Sequence, residues 1–233
     1  ACPVVDFGHS TRRAGTACRT GLQHRVTPSP AFQSDPTLAL RFGRTTVAVV
    51  ASPLLATRAE AVVIPANRRG MMVAGTAGQL RLRGGFDVEH ELMRQAPLTL
   101  GTSVATNSGD LRGAGPSLVL HAVIFDDLGG STRLDLVERA LEAALASADR
   151  HRVRSVAIPP VGAGVGEGRL RRDEVFSIVV GVVAAHLRRF ASRIDRIELV
   201  CADAREAREV HTILTDAHTL WWRMKTTTSG ESA

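Results

Sequence analysis

The fold is decided by one stretch of the chain, Ser155-Val156-Ala157-Ile158-Pro159-Pro160-Val161-Gly162-Ala163-Gly164-Val165-Gly166-Glu167-Gly168. Its first part is short and apolar, its second part holds four glycines within seven residues, and a long helical pattern follows. The stretch therefore predicts a strand, a glycine loop and a helix that begins between Leu170 and Glu174. Backbone N–H groups of such a loop and of the first helical turn can point at one place, which favours a bound phosphate or diphosphate.

The glycine spacing matches neither of the two familiar nucleotide motifs. The dinucleotide fingerprint requires G-x-G-x-x-G, and a Walker loop requires a Lys-Ser or Lys-Thr pair after its last glycine. A glycine cluster by itself is equally typical of a surface turn that only connects a strand to a helix. The rest of the chain has to decide between an anion site and a connector.

The composition is that of a globular protein with an excess of arginine. Of the 233 residues 44% are apolar, which is enough for a core, and the formal net charge is +6. Lysine occurs once, at Lys225, so arginine supplies nearly all of the positive charge. Because biased codon usage produces the same excess, it is weak evidence for a nucleic-acid partner, although arginine forks match phosphate oxygens well.

Cysteine usage and hydropathy indicate a cytoplasmic protein. Cys2, Cys18 and Cys201 are odd in number and lack the spacing of metal ligands, so we expect no metal, no cofactor and a reducing compartment. No apolar run approaches the length of a membrane span, and the first residues lack the apolar centre of a signal peptide. We therefore expect no membrane partner.

Apolar patterns along the chain predict alternating strands and helices. Residues 1–36 and 225–233 are polar and have no period, so we expect disordered tails or linkers around a folded domain at 37–224. The predicted strands are two within 37–51, then 61–65, 102–106, 118–125, 155–158 and 194–201. The predicted helices are 74–83, 86–95, 134–148, one that begins between 170 and 174 and reaches 187, and 204–222. This order predicts an α/β fold, a three-layer α/β/α sandwich with a mixed central sheet of about six strands.

Five segments, in order and spacing, resemble the macro domain, a module that binds ADP-ribose and in some branches removes it from proteins. They are Ala61-Val62-Val63-Ile64-Pro65-Ala66-Asn67, Gly75-Thr76-Ala77-Gly78-Gln79-Leu80, Gly101-Thr102-Ser103-Val104-Ala105-Thr106, Leu120-His121-Ala122-Val123, and Ile158-Pro159 through Gly168. The resemblance covers about residues 37–222, nearly the whole predicted domain.

The resemblance implies a role for each matching segment. The residues similar to the family's diphosphate-binding loop are Gly162, Ala163, Gly164, Val165 and Gly166. Gly75, Thr76 and Ala77 open the first binding helix and are expected to contact the ligand. Asn67 falls where the family has the last Asn of its Asn-Ala-Ala-Asn motif, so it is the expected catalytic residue, orienting a water or the distal ribose.

Several positions depart from the family pattern. Pro53 stands where the resemblance places an adenine-reading Asp, which puts adenine selectivity in doubt. Ile64 replaces the first Asn of the motif, and Ala77 replaces the Asp of the strongly hydrolytic branch. Gly166 occupies a position that is aromatic in many members. Reader branches and viral-type macro domains also carry Ala at the position of Ala77, so hydrolysis stays open.

Structural interpretations compete with these functional ones. The Asn67 amide is also suited to capping the turn that follows it. Arg68 and Arg69 are either a solvated pair or groups that screen a phosphate beside the cleft. For His121, a hydrogen-bonded place in the sheet is favoured over catalysis, and for Asp126-Asp127 a turn is favoured over a metal pair.

Three functions remain, in order of preference. The first is a module that binds ADP-ribose or ADP-ribosylated protein, with weak or no hydrolysis. The second is a hydrolase, acting in protein de-ADP-ribosylation or on ADP-ribose 1′′-phosphate, in which positioning supplies most of the catalysis because no general base is evident. The third is a binder of another phosphate ligand, such as RNA or a different nucleotide, although the chain lacks the interleaved aromatics usual for single strands.

Overall fold

The computed structural model describes residues 38–164, 168–189 and 191–229. The described residues belong to one compact unit. The predicted tail at 1–36 lies outside the described residues, as do Val165 and Gly166 of the predicted loop.

Seven strands form one mixed sheet, in the spatial order β1-β2-β7-β6-β3-β5-β4. Five neighbouring strands, from β2 to β5 in that order, pair in parallel, and the two edge strands pair antiparallel to their neighbours. The strand bounds are β1 Ala39–Phe42, β2 Thr45–Ala51, β3 Ala61–Asn67, β4 Ser103–Asn107, β5 Leu118–Phe125, β6 Ser155–Ile158 and β7 Arg196–Cys201. The predicted mixed sheet is confirmed, with seven strands.

Five helices cover the two faces of the sheet. Their bounds are α1 Gly75–Gly84, α2 Phe86–Met93, α3 Leu134–Arg150, α4 Arg172–Arg189 and α5 Ala204–Ser229. The helix α5 continues past its predicted end at Trp222 and includes residues 225–229, which the polar composition had placed in a tail. None of the helices in the described ranges combines the length and apolar character that crossing a membrane requires.

Side chains alternate between two apolar cores along each buried strand. In β2, Val47 and Val49 face the core formed with α3, α4 and α5, whereas Ala48 and Val50 face the core formed with α1 and α2. This period of two is what a strand buried on both faces requires. The sheet therefore lies between two helical layers, as the α/β/α prediction stated.

Two aromatic residues near the end of α5 close one edge of the core. Trp221 is buried and packs edge-on against Phe42 of β1, with 5.6 Å between ring centroids, whereas Trp222 is exposed. Trp221 thus belongs to the core, and Trp222 lies at its boundary.

His121 is a buried residue of the sheet, as the structural interpretation predicted. Its Nε2 atom lies 2.8 Å from Thr106 Oγ1, and the Thr106 hydroxyl donates to Asn107 O. Because the hydroxyl has one proton, His121 must donate from Nε2, which leaves Nδ1 unprotonated and, among the described residues, without a partner. Burial lowers the pKa of His121 from 6.5 to about 3.

The neutral state of His121 predicts an acid-sensitive fold. The pKa of His121 is lower in the folded chain than in the unfolded chain, so the unfolded chain takes up the extra proton as the pH falls. The contribution of the neutral imidazole to stability is present above pH 6.5 and is lost as the pH falls toward 3. Relative to His121→Gln, the wild type should lose about 2 to 3 kcal/mol of unfolding free energy between pH 7.5 and 4.5. Urea unfolding of both proteins at the two pH values measures this difference. Parallel pH profiles would contradict the prediction.

Candidate functional site

A cleft of about 350 Å³ lies at the carboxyl-terminal edge of the sheet. It is lined where β2, β3, β5, β6 and β7 end, by the first turn of α1, by the glycine loop after β6 and by the first residue of α4. Parallel strands bring these loops to one edge, where ligands bind in open α/β sheets. The cleft is therefore the candidate site.

Asn67 ends β3 and organises the loop that leads to α1. Its Nδ2 donates to Met71 O at 2.8 Å, and its Oδ1 accepts from the backbone N–H groups of Arg69 at 3.0 Å and Met71 at 3.2 Å. The side chain is buried next to the cleft but does not line it. These contacts are those of the turn cap, so the catalytic role of Asn67 stays a prediction.

The charged residues beside this loop pair with each other. Arg68 Nη1 lies 3.0 Å from Asp126 Oδ1, and Arg69 Nη2 lies 3.0 Å from Asp127 Oδ2. Both ion pairs are exposed and link the loop after β3 to the loop after β5. Within the described residues no three His, Cys, Asp or Glu side chains come together as metal ligands.

The first turn of α1 presents its backbone to the cleft. Gly75, Thr76 and Ala77 all line the cavity, and the first helical hydrogen bond runs from Gly78 N to Ala74 O. The N–H groups of the three lining residues therefore have no intrahelical acceptor. Gly75 has φ of +58°, a backbone conformation that a residue with a Cβ adopts only under strain.

The glycine loop is packed against its own backbone and against the loop after β5. A Cβ on Gly168 would lie 1.9 Å from Gly162 O, and one on Gly162 would lie 3.1 Å from the Thr132 methyl group. Thr132 is itself fixed, since its hydroxyl donates to Ile124 O at 2.6 Å. Hydrogen bonds from Gly168 N to Gly130 O and from Leu170 N to Gly162 O hold the loop in place.

The two faces of the loop are thus distinct. Ala163 points inward and is buried, whereas Gly164 is exposed and lines the cavity together with Gly162. The structure brings Gly75, Thr76, Ala77, Gly162 and Gly164 to one cleft, as the resemblance implied. That each of them contacts a ligand stays a prediction.

Arg172 is the charged lining residue that the sequence analysis missed. Its Nη2 donates to Glu206 Oε2 at 2.7 Å and its Nε donates to Glu206 Oε1. These hydrogen bonds raise the pKa of Arg172, so the guanidinium stays charged. The position of Arg172 just after the glycine loop was a usable signal, but its partner lies 34 residues farther along the chain.

Cys201 lines the same end of the cleft as a free thiol. Burial raises its pKa to about 12, so it is protonated at neutral pH and unsuited to act as a nucleophile. Among the described lining residues, Arg172 is the single charged side chain. Because Glu206 balances this charge, the cleft offers an anionic ligand hydrogen-bond donors, from backbone N–H groups and from Arg172, more than net positive charge.

Comparison with protein families gives one match, the Macro domain, over residues 63–178. An uncharacterized protein of Aeropyrum pernix is 40% identical over 53% of this chain and 64% of its own length. An uncharacterized protein of Aquifex aeolicus is 35% identical over 52% of this chain and 71% of its own length. A third, from Mycobacterium tuberculosis, is 33% identical over 54% of this chain and 34% of its own length. The chain thus spans only part of these relatives.

Known structures of macrodomains share the fold. A mutant Oceanobacillus iheyensis macrodomain with ADPR aligns with a TM-score of 0.64 and 14% identity over 79% of this chain and 98% of its own. The Trypanosoma brucei macrodomain in complex with ADP-ribose aligns with a TM-score of 0.60 and 20% identity, over 71% of this chain and 68% of its own. The macrodomain of Mycobacterium tuberculosis DarG aligns with a TM-score of 0.56 and 21% identity, over 66% of this chain and 97% of its own.

The hydrogen bonds of Asn67 predict that Asn67→Ala destabilises the protein. The substitution leaves the N–H groups of Arg69 and Met71 without their acceptor, and should lower the unfolding free energy by about 1 to 3 kcal/mol. Arg69→Ala is the matched control, because its exposed ion pair contributes only about 0 to 1 kcal/mol. Urea unfolding of the two variants compares them. Equal losses would show that the loop does not depend on the amide.

Proposed function

The chain belongs to the macro domain family, and from this premise we propose that its cleft binds ADP-ribose, either free or attached to a protein. The proposal rests chiefly on one observation. The first turn of α1, the exposed Gly164 of the loop and the fixed Arg172 all line a single cavity. Such a set of donors is suited to a diphosphate.

The charge of the lining favours an anion over a neutral or cationic ligand. Apart from Arg172, the described lining consists of apolar side chains, glycine backbone and a few hydroxyl or thiol groups. Helix N-termini carry partial positive charge, and α1 and α4 both begin at the cleft. A diphosphate would meet these two helix N-termini and Arg172, whose charge Glu206 balances, and no carboxylate among the described lining residues.

The dimensions of the cleft suit an extended ligand. It is lined at the ends of five adjacent strands, β2, β7, β6, β3 and β5, and four spacings between neighbouring strands amount to roughly 19 Å. In this arrangement the glycine loop after β6 lies near the middle. A diphosphate held there can carry a nucleoside on one side and a second sugar on the other.

Binding, rather than hydrolysis, is the function that the lining favours. General-base hydrolysis uses a group that accepts a proton near neutral pH, and the described lining contains no carboxylate or imidazole. Cys201, with its raised pKa, does not supply one.

We propose a cytoplasmic location as well, where a free cysteine thiol such as that of Cys201 stays reduced.

Calorimetric titration with ADP-ribose, AMP and a short RNA oligonucleotide tests the proposal. ADP-ribose should bind at least about tenfold more tightly than AMP, because the loop grips a diphosphate that AMP lacks. Equal affinities for ADP-ribose and AMP would contradict it. Tighter binding of the oligonucleotide, with a steep dependence on salt, would favour the alternative of an RNA ligand.

Substitution of Gly164 tests whether the loop itself holds the ligand. Gly164→Glu places a bulky anion on the exposed face of the loop, and should weaken ADP-ribose binding at least about tenfold by exclusion and charge repulsion. Because Gly164 is exposed, the Tm should change by no more than about 2 °C.

Gly181→Glu is the matched control for this variant. Gly181 is an exposed glycine of α4 at which an added Cβ meets open space, and it is not a lining residue. The Gly181→Glu variant adds the same negative charge as Gly164→Glu, but away from the cleft. Normal binding by Gly164→Glu, or an equal loss in both variants, would mean that the loop is only a connector.

A further inference from the structure

The two ends of the cleft differ in chemistry. At the end formed by β3 and α1, the lining is mainly backbone with exposed N–H groups. At the end formed by β2 and β7, it is a narrow apolar wall of Leu54 and Val200 with small groups from Ser52, Cys201 and Ala202. A flat heterocycle is the part of a nucleotide that suits this second, apolar end.

Arg172 adds a rigid set of hydrogen-bond donors to the apolar end. Glu206, whose side chain is 14% exposed, holds the guanidinium through Nε and Nη2. Glu206 is fixed in turn, because its carboxylate accepts from Ala202 N at 2.7 Å and its own N–H donates to Asp203 Oδ1 at 2.8 Å. In the described part of the chain, Nη1 and the second N–H of Nη2 have no acceptor, so this edge of the guanidinium offers two adjacent donors to a ligand.

The donors of Arg172 meet different groups on different bases. A keto-purine, such as guanine or hypoxanthine, presents two adjacent acceptors, O6 and N7, which match a guanidinium. Adenine replaces O6 by an amino donor, which needs an acceptor instead. The described lining offers no carboxylate or carboxamide at this end, and Ser52 is its only hydroxyl there.

We propose that Arg172 determines the base specificity of the cleft and that it favours a keto-purine over adenine in a bound nucleoside diphosphate. This inference rests on the proposed function, since it assumes that the cleft binds a nucleoside diphosphate with its base at the β2 and β7 end. The diphosphate and the sugars of ADP-ribose still bind as described above. What changes is the base for which the apolar end is best suited.

Titration of the full chain with GDP, IDP and ADP tests this inference, since the three ligands share the ribose and the diphosphate. GDP and IDP should bind about fivefold or more tightly than ADP. In Arg172→Met this preference should disappear, with the largest loss of affinity for GDP and IDP. Arg172→Lys keeps the charge without the planar fork, so it should also lose the preference while retaining more affinity for all three ligands.

Arg171→Met is the matched control. Arg171 is the preceding residue, its side chain is 72% exposed and paired with Asp173, and it does not line the cleft. This variant removes the same charge and should keep the wild-type ratio of GDP to ADP affinity. Circular dichroism and Tm establish that each variant is folded.

The possible outcomes separate this inference from the proposed function. If GDP, IDP and ADP bind with equal affinity, or if ADP binds best, the inference is wrong and nucleotide binding stands. If Arg172→Met weakens all three ligands by the same factor, Arg172 acts on the diphosphate and the inference is again wrong. If none of the three ligands nor ADP-ribose binds, both fail together.

Discussion

The parallel pairing of five buried strands is the constraint on which the site depends. β3 pairs with β5 on one side and with β6 on the other, and β6 continues through β7 to β2. Since all five run in the same direction, the segments that follow them leave the sheet at the same edge. Residues more than a hundred positions apart, such as Ser52 and Cys201, thereby line one cleft.

The glycine loop satisfies two requirements, and the structure separates them. Gly162 and Gly168 are required by packing, because a Cβ at either position would press on Thr132 or on the backbone of the loop itself. Gly164 lies on the exposed face and lines the cleft. Packing therefore explains Gly162 and Gly168, whereas Gly164 is the glycine best placed to contact a ligand.

The sequence predicted what short-range patterns determine and missed what tertiary contacts determine. Period-two alternation and apolar runs placed β5 at its observed bounds, Leu118–Phe125, and the layered fold followed. The hydrogen bonds of Asn67 are local, so its turn-cap role could be stated as one of two alternatives. The pairing of Arg172 with Glu206 joins the starts of α4 and α5, and that of Arg68 with Asp126 joins two loops. Only the folded sheet brings these segments together, and no spacing rule reveals the pairs.

Among the described lining residues Arg172 is the one charged side chain, so most of the arginines of this arginine-rich chain do not act on the cleft directly. At the opposite edge of the sheet, Arg44 and Arg154 share Asp195, and beside the cleft the exposed arginine Arg68 is also paired with an aspartate. Such exposed pairs are screened by solvent and salt. Arg172 is also paired and its side chain is 42% exposed, but Glu206 holds it through Nε and Nη2 at a position that lines the cleft. Its unpaired N–H groups can make directional hydrogen bonds to a ligand, so this single group has more influence on ligand choice than the net charge of the chain.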